Sequence, residues 1–171
     1  MQKEYPCLFE TKRLRIREFQ ESDCPFILQL TNSPKWIKYI GDRNIKNVDD
    51  AVNYLQNGPF KSYKKFGFGL WMVELKASKT PIGMCGLLKR DELDDVDIGF
   101  ALLPSYFGNG YAYEMAKATL DYGHSHLGIE RIIAICHPKN EASIHLLRKI
   151  GLLREEPYFS SNSEQLILLS T

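Results

Sequence analysis

Residues 96–114 read Val96-Asp97-Ile98-Gly99-Phe100-Ala101-Leu102-Leu103-Pro104-Ser105-Tyr106-Phe107-Gly108-Asn109-Gly110-Tyr111-Ala112-Tyr113-Glu114. An apolar run of strand length, 96–103, ends at Pro104 and enters a glycine-containing loop. The loop opens a helix on which Ala112, Met115, Ala116, Thr119 and Leu120 form one apolar stripe. Gly108 and Gly110 permit tight backbone turns and carry no Cβ to hold an anion away from the main chain. The helix start aims unpaired N–H groups and its positive dipole end at the same place, where a pyrophosphate is the natural occupant. A Gly-x-Gly pair alone also fits a plain turn followed by a close-packed helix start. Two familiar phosphate loops are excluded. The G-x-G-x-x-G fingerprint needs glycine where Tyr113 stands, and the P-loop needs Lys and Ser/Thr after a glycine.

Working outward, residues 70–75 and 82–88 are further apolar runs of strand length. Residues 76–81 and the acidic turn 91–95 join them to 96–103, which predicts an antiparallel meander of three strands. Nearer the N-terminus, residues 11–17 alternate apolar and charged types and predict a strand. Lys12, Arg13, Arg15 and Arg17 read as its solvent face. Ser22 or Asp23 caps a short helix carrying Phe26, Ile27 and Leu30, with Pro25 in its first turn. Trp36, Ile37, Tyr39 and Ile40 follow Pro34 as a second helical patch. Asn47 caps a third helix through Val48, Ala51, Val52 and Leu55, which Gly58-Pro59 interrupts. On the C-terminal side, 132–136 reads as a buried strand. Asn140 caps a helix bearing Ile144, Leu147 and Ile150, closed by Gly151. Two last strands are expected around Leu153 and at 165–169. The order β-ααα-βββ-α-β-α-ββ predicts an α/β (α+β) fold of three layers, αβα, with a central mixed, mostly antiparallel sheet.

No repeat, low-complexity tract or linker divides the 171 residues, so one domain over 1–171 is expected. With 44% hydrophobic and 25% charged residues, the composition is that of an ordinary soluble protein. A net charge of +1 and the lack of a Lys/Arg stripe give no reason to expect a nucleic-acid partner. No apolar run is long enough for a membrane span, and the N-terminus has no signal-like apolar region. Cys7, Cys24, Cys85 and Cys136 are widely spaced without a C-x-x-C pair. Reduced thiols in a cytoplasmic protein are therefore expected, with no disulfide framework. Asp91, Glu92, Asp94 and Asp95 lack EF-hand spacing, and no metal is predicted.

An ordered set of segments resembles the GNAT acetyltransferases, and within them the ribosomal-protein-alanine acetyltransferase branch. The set begins with Glu10-Thr11-Lys12-Arg13-Leu14-Arg15-Ile16-Arg17 and continues through the strand, loop and helix start quoted above. It then includes Leu127-Gly128-Ile129-Glu130-Arg131-Ile132, Asn140-Glu141-Ala142-Ser143-Ile144 and Leu147-Arg148-Lys149-Ile150-Gly151-Leu152. The resemblance spans about residues 10–155 and implies a GNAT-like fold, with acetyl-CoA as cosubstrate and an amine as acceptor. It implies that Phe100, Ala101, Leu102 and Leu103 offer backbone groups to the pantetheine arm. Gly108, Asn109, Gly110, Tyr111, Ala112 and Tyr113 would hold the pyrophosphate, Asn140 would contact the arm, and Ser143 would lie near the sulfur. The general superfamily loop opens with Gln or Arg, where this chain has Ser105, and its centre is often basic, where this chain has Asn109. With no cation in the loop, binding is expected to rest on backbone amides.

Acetyl transfer needs a neutral amine, a donor for the developing oxyanion and a proton for the departing thiolate. A splayed strand can aim a backbone N–H near Leu102 or Leu103 at the thioester oxygen. Many relatives carry a tyrosine acid seven residues after the asparagine, but here that position is Leu147. Ser143 is the substitute that the resembling branch implies, or else a polar group in a first helical turn. Thiol pKa values near 8.5 let the thiolate leave tolerably unaided. Asp97, in an otherwise apolar strand, is the candidate base or a carboxylate that attracts the ammonium. It also reads as a strand-edge residue continuing the acidic turn. His137, at a strand end, is a secondary candidate, whereas His124 and His126 read as surface residues near a helix C-terminus. Cys136 reads as a buried structural thiol. Trp36, Tyr39 and Phe66 either line the acceptor groove or pack in the core. The acceptor is a peptide N-terminus or a small-molecule amine, and the enzyme a monomer or homodimer. The alternative is a CoA-binding sensor or interaction module that has lost catalysis.

Overall fold

Alternation in the meander becomes three antiparallel strands in the computed structural model, which describes residues 6–171. They are β3 (Leu70–Leu75), β4 (Pro81–Leu88) and β5 (Val96–Leu102). Trp71 and Val73 point into one core, while Met72 between them points into another. Further elements extend the sheet on both sides. β2 (Leu14–Arg17) pairs with β3, and β1 (Cys7–Glu10) pairs with β2. β6 (Ile132–Cys136), β7 (Arg154–Phe159) and β8 (Gln165–Ser170) complete eight strands in the order β1-β2-β3-β4-β5-β6-β8-β7. Every described pairing is antiparallel except β5 with β6.

The N-terminal segment departs from its sequence pattern. Only 14–17 of the expected strand 11–17 is extended in the sheet. Residues 11–13 form a turn in which Leu14 N donates to Thr11 Oγ1 at 2.9 Å and Thr11 N donates to the Leu14 carbonyl at 2.9 Å. This side-chain-closed turn creates β1, a strand with no Gly or Pro signal to announce its hairpin.

Arg15 and Arg17 do not form a solvent face: they are 8% and 5% exposed. Arg17 Nη1 and Nη2 donate to Asp23 Oδ2 and Oδ1 at 2.8 and 2.9 Å, and its Nε donates to Glu74 Oε1 at 2.8 Å. Arg15 Nη1 reaches Glu74 Oε2 at 3.3 Å. The two carboxylates compensate the buried guanidiniums. This is why charged residues occupy the inner face of β2 beneath the first helices. Asp23 accordingly faces Arg17 and the Gln20 N–H (2.7 Å), and makes no side-chain cap to the helix after it.

Helices cover both faces. On one lie α1 (Cys24–Thr31), α2 (Pro34–Tyr39), α3 (Val48–Leu55) and α4 (Lys61–Phe66). Asn47 caps α3 as expected, accepting from Asp50 N at 2.9 Å. Gly58-Pro59 does not end the helical path. A widened π turn over Gln56–Phe60 absorbs the missing proline donor and its ring, and α4 follows directly. Phe26, Ile27, Leu30, Trp36 and Leu55 pack there against Met72 and Met84.

The other face carries α5 (Tyr111–Ser125) and α6 (Glu141–Ile150). Met115, Ala116 and Leu120 of α5, with Ile144, Leu147 and Ile150 of α6, pack on Trp71, Leu87 and Ile98. At the C-terminus, Leu153 lies outside β7 and is 74% exposed. The arrangement is a three-layer αβα fold on a mixed sheet. Among the described residues no helix is long and apolar enough to cross a membrane.

Candidate active site

The parallel pair β5/β6 holds together for only two residues, Val96 opposite Ile132 and Asp97 opposite Ile133. Beyond them β5 stays paired with β4 and β6 with β8, so a wedge opens between residues 98–102 and 134–136. Leu103 N donates to the Ile82 carbonyl of β4 at 2.8 Å. Strand alternation then turns the backbone groups of Ile98, Phe100 and Leu102 toward the wedge. Of the two N–H groups expected near a thioester, that of Leu103 is therefore already bonded, and that of Leu102 is the one directed to the gap.

The glycine loop lies at the wide end of the wedge. Gly108 and Gly110 adopt φ +77° and +78°, the left-handed region that glycine enters without Cβ strain. Phe107 N and Glu114 N donate to the carbonyls of Pro104 and Gly110. Among the described hydrogen bonds, none of the six backbone N–H groups from residue 108 to residue 113 has a partner. An added Cβ at Gly108 meets nothing within 4 Å, and at Gly110 only Arg13 Nη2 at 3.4 Å. The hollow is thus open, lined by main-chain donors and set on the positive end of a 15-residue helix. Its makeup fits a diphosphate.

Side-chain cations reach this loop from other elements, where the sequence displayed none. Arg13, in the β1–β2 turn, donates through Nη1 to the Asn109 carbonyl at 2.9 Å and through Nε to Glu114 Oε2 at 2.7 Å. Its guanidinium carbon lies 4.4 Å from the centre of the Tyr111 ring. Lys35 Nζ of α2 sits 4.2 Å from the Phe107 ring centre, and Lys149 Nζ of α6 sits 4.8 Å from that of Tyr113. Burial pushes the Glu114 carboxyl up, but the Thr11 hydroxyl (2.6 Å), the Arg13 N–H (2.8 Å) and the Arg13 guanidinium together hold it below the usual range. No sequence signal marks Arg13, because its partner is 101 residues away.

Asp97 is the last residue of the paired stretch, at the closed end of the wedge. It is 2% exposed and flanked by β4 and β6, so it is not the strand-edge residue that the acidic turn suggested. Arg90 Nε donates to its Oδ1 at 3.0 Å. Desolvation raises its pKa above the usual carboxylate value. Arg90 pulls the other way, and Glu92 adds to the rise.

On the opposite bank, Asn140 caps α6, accepting at Oδ1 from Ser143 N at 3.3 Å. Ser143 is half-buried, and its hydroxyl has no partner among the described hydrogen bonds. Leu147 is 1% exposed and belongs to the main core. Its position therefore serves packing, and a phenol there would be buried. Tyr39 of α2 approaches His137 with ring centres 6.2 Å apart, bringing the first helices to the β6–α6 loop. His137 Nδ1 accepts from Lys139 N at 3.0 Å. Trp36 is a core residue, and Phe66 stacks on Phe68 with ring centres 5.9 Å apart. His124 faces the Ile129 carbonyl (2.6 Å), and His126 stacks on Tyr122. All four cysteines are free thiols, and burial pushes Cys136 up to about 11 and Cys85 up to about 12. Among the described residues no cluster suited to a metal ion occurs.

Comparison with known proteins gives the family. The family model for the acetyltransferase (GNAT) domain matches residues 13–153. The chain belongs to the GNAT acetyltransferase family. It is 33% identical over 145 residues to the uncharacterized N-acetyltransferase YnaD of Bacillus subtilis (strain 168), covering 85% of this chain and 82% of that protein. Among solved structures it is similar to a GNAT-family acetyltransferase from Bacillus anthracis, with TM-score 0.78, 28% identity, and 95% and 96% of the two chains covered. It also shares its fold with RimL, a ribosomal L7/L12 alpha-N-protein acetyltransferase solved with coenzyme A. There the TM-score is 0.81 at 15% identity, with 97% of each chain covered. The GNAT chain is accordingly an enzyme that transfers acetyl groups to amines.

Proposed function

We propose that residues 1–171 act as one catalytic domain that acetylates a primary amine directly from acetyl-CoA bound in the β5/β6 wedge. The observation that carries this reading is the run of six backbone N–H groups, 108–113, without partners among the described residues at the wide end of that wedge. Gly108, Asn109, Gly110, Tyr111, Ala112 and Tyr113 would hold the pyrophosphate. The backbone of Phe100, Ala101, Leu102 and Leu103 flanks the pantetheine arm, with Phe100 and Leu102 offering the free edge. Asn140 and Ser143 border the arm from α6. The narrow end, where Asp97 sits, then receives the thioester.

In this reading the acceptor ammonium is drawn to Asp97 and loses a proton to its carboxylate. Burial raises the affinity of Asp97 for protons, which suits it to accept one. The neutral amine attacks the thioester carbon. The Phe100 N–H, turned to the wedge just beyond the paired stretch, steadies the resulting oxyanion, a contribution typically worth about 3 kcal/mol. The attacking nitrogen gives up its second proton to solvent as the C–S bond breaks, and the thiolate takes a proton from solvent through the Ser143 hydroxyl or leaves as the anion. A CoA-binding sensor would keep the same amide nest; membership of the acetyltransferase family, with a Ser143 hydroxyl that has no partner among the described hydrogen bonds, supports an active enzyme.

The acceptor is a peptide N-terminal amine in our reading. That rests on the ordered segments similar to the ribosomal-protein acetyltransferase branch and on the fold shared with RimL. The free thiols suit a cytoplasmic setting. Thiol release from acetyl-CoA, measured with peptides, polyamines and amino sugars, tests the proposal. Turnover on peptides is expected, whereas CoA binding with no turnover on any amine would point to the sensor instead.

A further inference from the structure

The phosphate hollow has amide donors in abundance and no charged side chain of its own, yet one guanidinium is fixed at its rim. Arg13 comes from the turn between β1 and β2, a part of the chain outside the loop and helix that form the hollow. Three residues, Glu114, Asn109 and Tyr111, fix it from different directions. Its Nε and backbone N both donate to Glu114 in the first turns of α5, at 2.7 and 2.8 Å. Its Nη1 donates to the Asn109 carbonyl at 2.9 Å. Its guanidinium lies on the Tyr111 ring at 4.4 Å.

Two consequences follow for the loop. First, the bond from Nη1 to the Asn109 carbonyl ties the centre of the glycine loop to the β1–β2 turn, so the loop is held in place from outside itself. Second, with Nε and Nη1 bonded, Nη2 is the nitrogen left without a hydrogen-bond partner among the described residues. It lies 3.4 Å from where a Gly110 Cβ would stand. A charged, oriented donor held against the first residue of the helix N-terminus lies on the side from which an anion approaches the amides.

We propose that Arg13 supplies the cation the loop lacks, its Nη2 facing the diphosphate of acetyl-CoA while Nε and Nη1 set the loop for binding. This inference rests on the reading that residues 108–113 hold the diphosphate. Glu114 is then the residue that orients the guanidinium, and Thr11, donating to the same carboxylate at 2.6 Å, completes the support. The ligand class is the diphosphate ester itself, so CoA and dephospho-CoA, which share it, should depend on Arg13 alike.

Calorimetric titration of the intact protein with CoA and with dephospho-CoA tests the assignment. Arg13→Ala is expected to weaken both ligands about 10- to 100-fold, the range for a hydrogen bond to a charged group. Arg13→Lys, which keeps the charge without the fork, should recover part of the loss for both. The double variant Arg13→Ala/Glu114→Gln separates direct contact from relief of the Glu114 charge. Continued weak binding supports the contact, while restored affinity overturns it. Unchanged affinity in Arg13→Ala overturns the proposal, and a loss confined to CoA, which would mean that Arg13 reads the 3′-phosphate, overturns it equally. Failure of the unmodified protein to bind CoA would instead remove the underlying reading of the loop.

Discussion

Gly110→Asp separates ligand binding from folding. Gly110 precedes the first turn of α5 with φ +78°, and only Arg13 Nη2, at 3.4 Å, lies within 4 Å of an added Cβ. The side chain therefore has room. Its left-handed backbone costs about 1–2 kcal/mol, and a negative charge at a helix N-terminus returns about 0.3–1 kcal/mol. A net loss near 1 kcal/mol lowers Tm by roughly 2–4 °C. Binding suffers far more. A carboxylate about 5 Å from one phosphate charge costs about 1 kcal/mol at the dielectric of water and about 3 kcal/mol at an effective value of 20. A diphosphate with two charges doubles this to about 2–6 kcal/mol, or roughly 30-fold to above 10,000-fold in Kd.

Gly128→Asp is the matched control. Gly128 has φ +66° and open space around its Cβ position, so it carries the same backbone strain. It follows the far end of α5, about 22 Å from Gly110 at 1.5 Å per residue, more than two Debye lengths of about 8 Å at physiological salt. Titration of CoA into the two variants should show at least 30-fold weakening for Gly110→Asp and less than about two-fold for Gly128→Asp, by the same arithmetic. A Gly110→Asp affinity within about three-fold of the unmodified protein, or equal weakening in both variants, refutes the placement of the diphosphate.

Asp97→Asn should lower kcat/KM by about 10²- to 10⁴-fold, as expected for loss of a general base. It should also abolish the acidic limb of the pH–rate profile, which in the unmodified enzyme lies above the ordinary carboxylate range because burial raises Asp97; a limb that persists in the variant counts against Asp97. The same shift fixes a sign for stability. Folded Asp97 binds its proton more tightly than the unfolded chain does, so its contribution falls as pH rises from the ordinary carboxylate pKa through the folded one. Melts of Asp97→Asn against the unmodified protein across that window should show the variant losing less. Ser143→Ala should reduce kcat less than about 10-fold, since a thiolate with pKa near 8.5 leaves with little help; a loss beyond about 100-fold would make the hydroxyl a required acid. Glu74→Gln should cost about 3–5 kcal/mol by leaving Arg15 and Arg17 short of a buried countercharge. Chemical denaturation measures it, and a change under 1 kcal/mol, the worth of an exposed pair, would mean that the network is effectively solvated.

Much of the fold was legible because it follows from local pattern. The β3–β5 meander, the α5 stripe, the Asn140 cap and the Gly151 stop all rest on residues close together in the chain, and each recurs within a few residues of its expected place. Two signals misled for physical reasons. Gly58-Pro59 reads as a break, but a π turn carries the helix through it. Alternating arginines read as a wet face, but Asp23 and Glu74 neutralise Arg15 and Arg17 inside the protein.

By itself, the sequence determined the strand and helix periods, the glycine pair ahead of α5 and the family resemblance. These depend on spacing along the chain, which sequence displays directly. Only the tertiary structure decided that β5 and β6 part after two residues, that Asp97 is buried at the closed end of their wedge, and that Arg13 stands at the phosphate hollow. Each of those is a meeting of segments far apart in the chain. Hydrogen bonding and ion pairing across such distances follow from how the layers pack, and no local pattern encodes them.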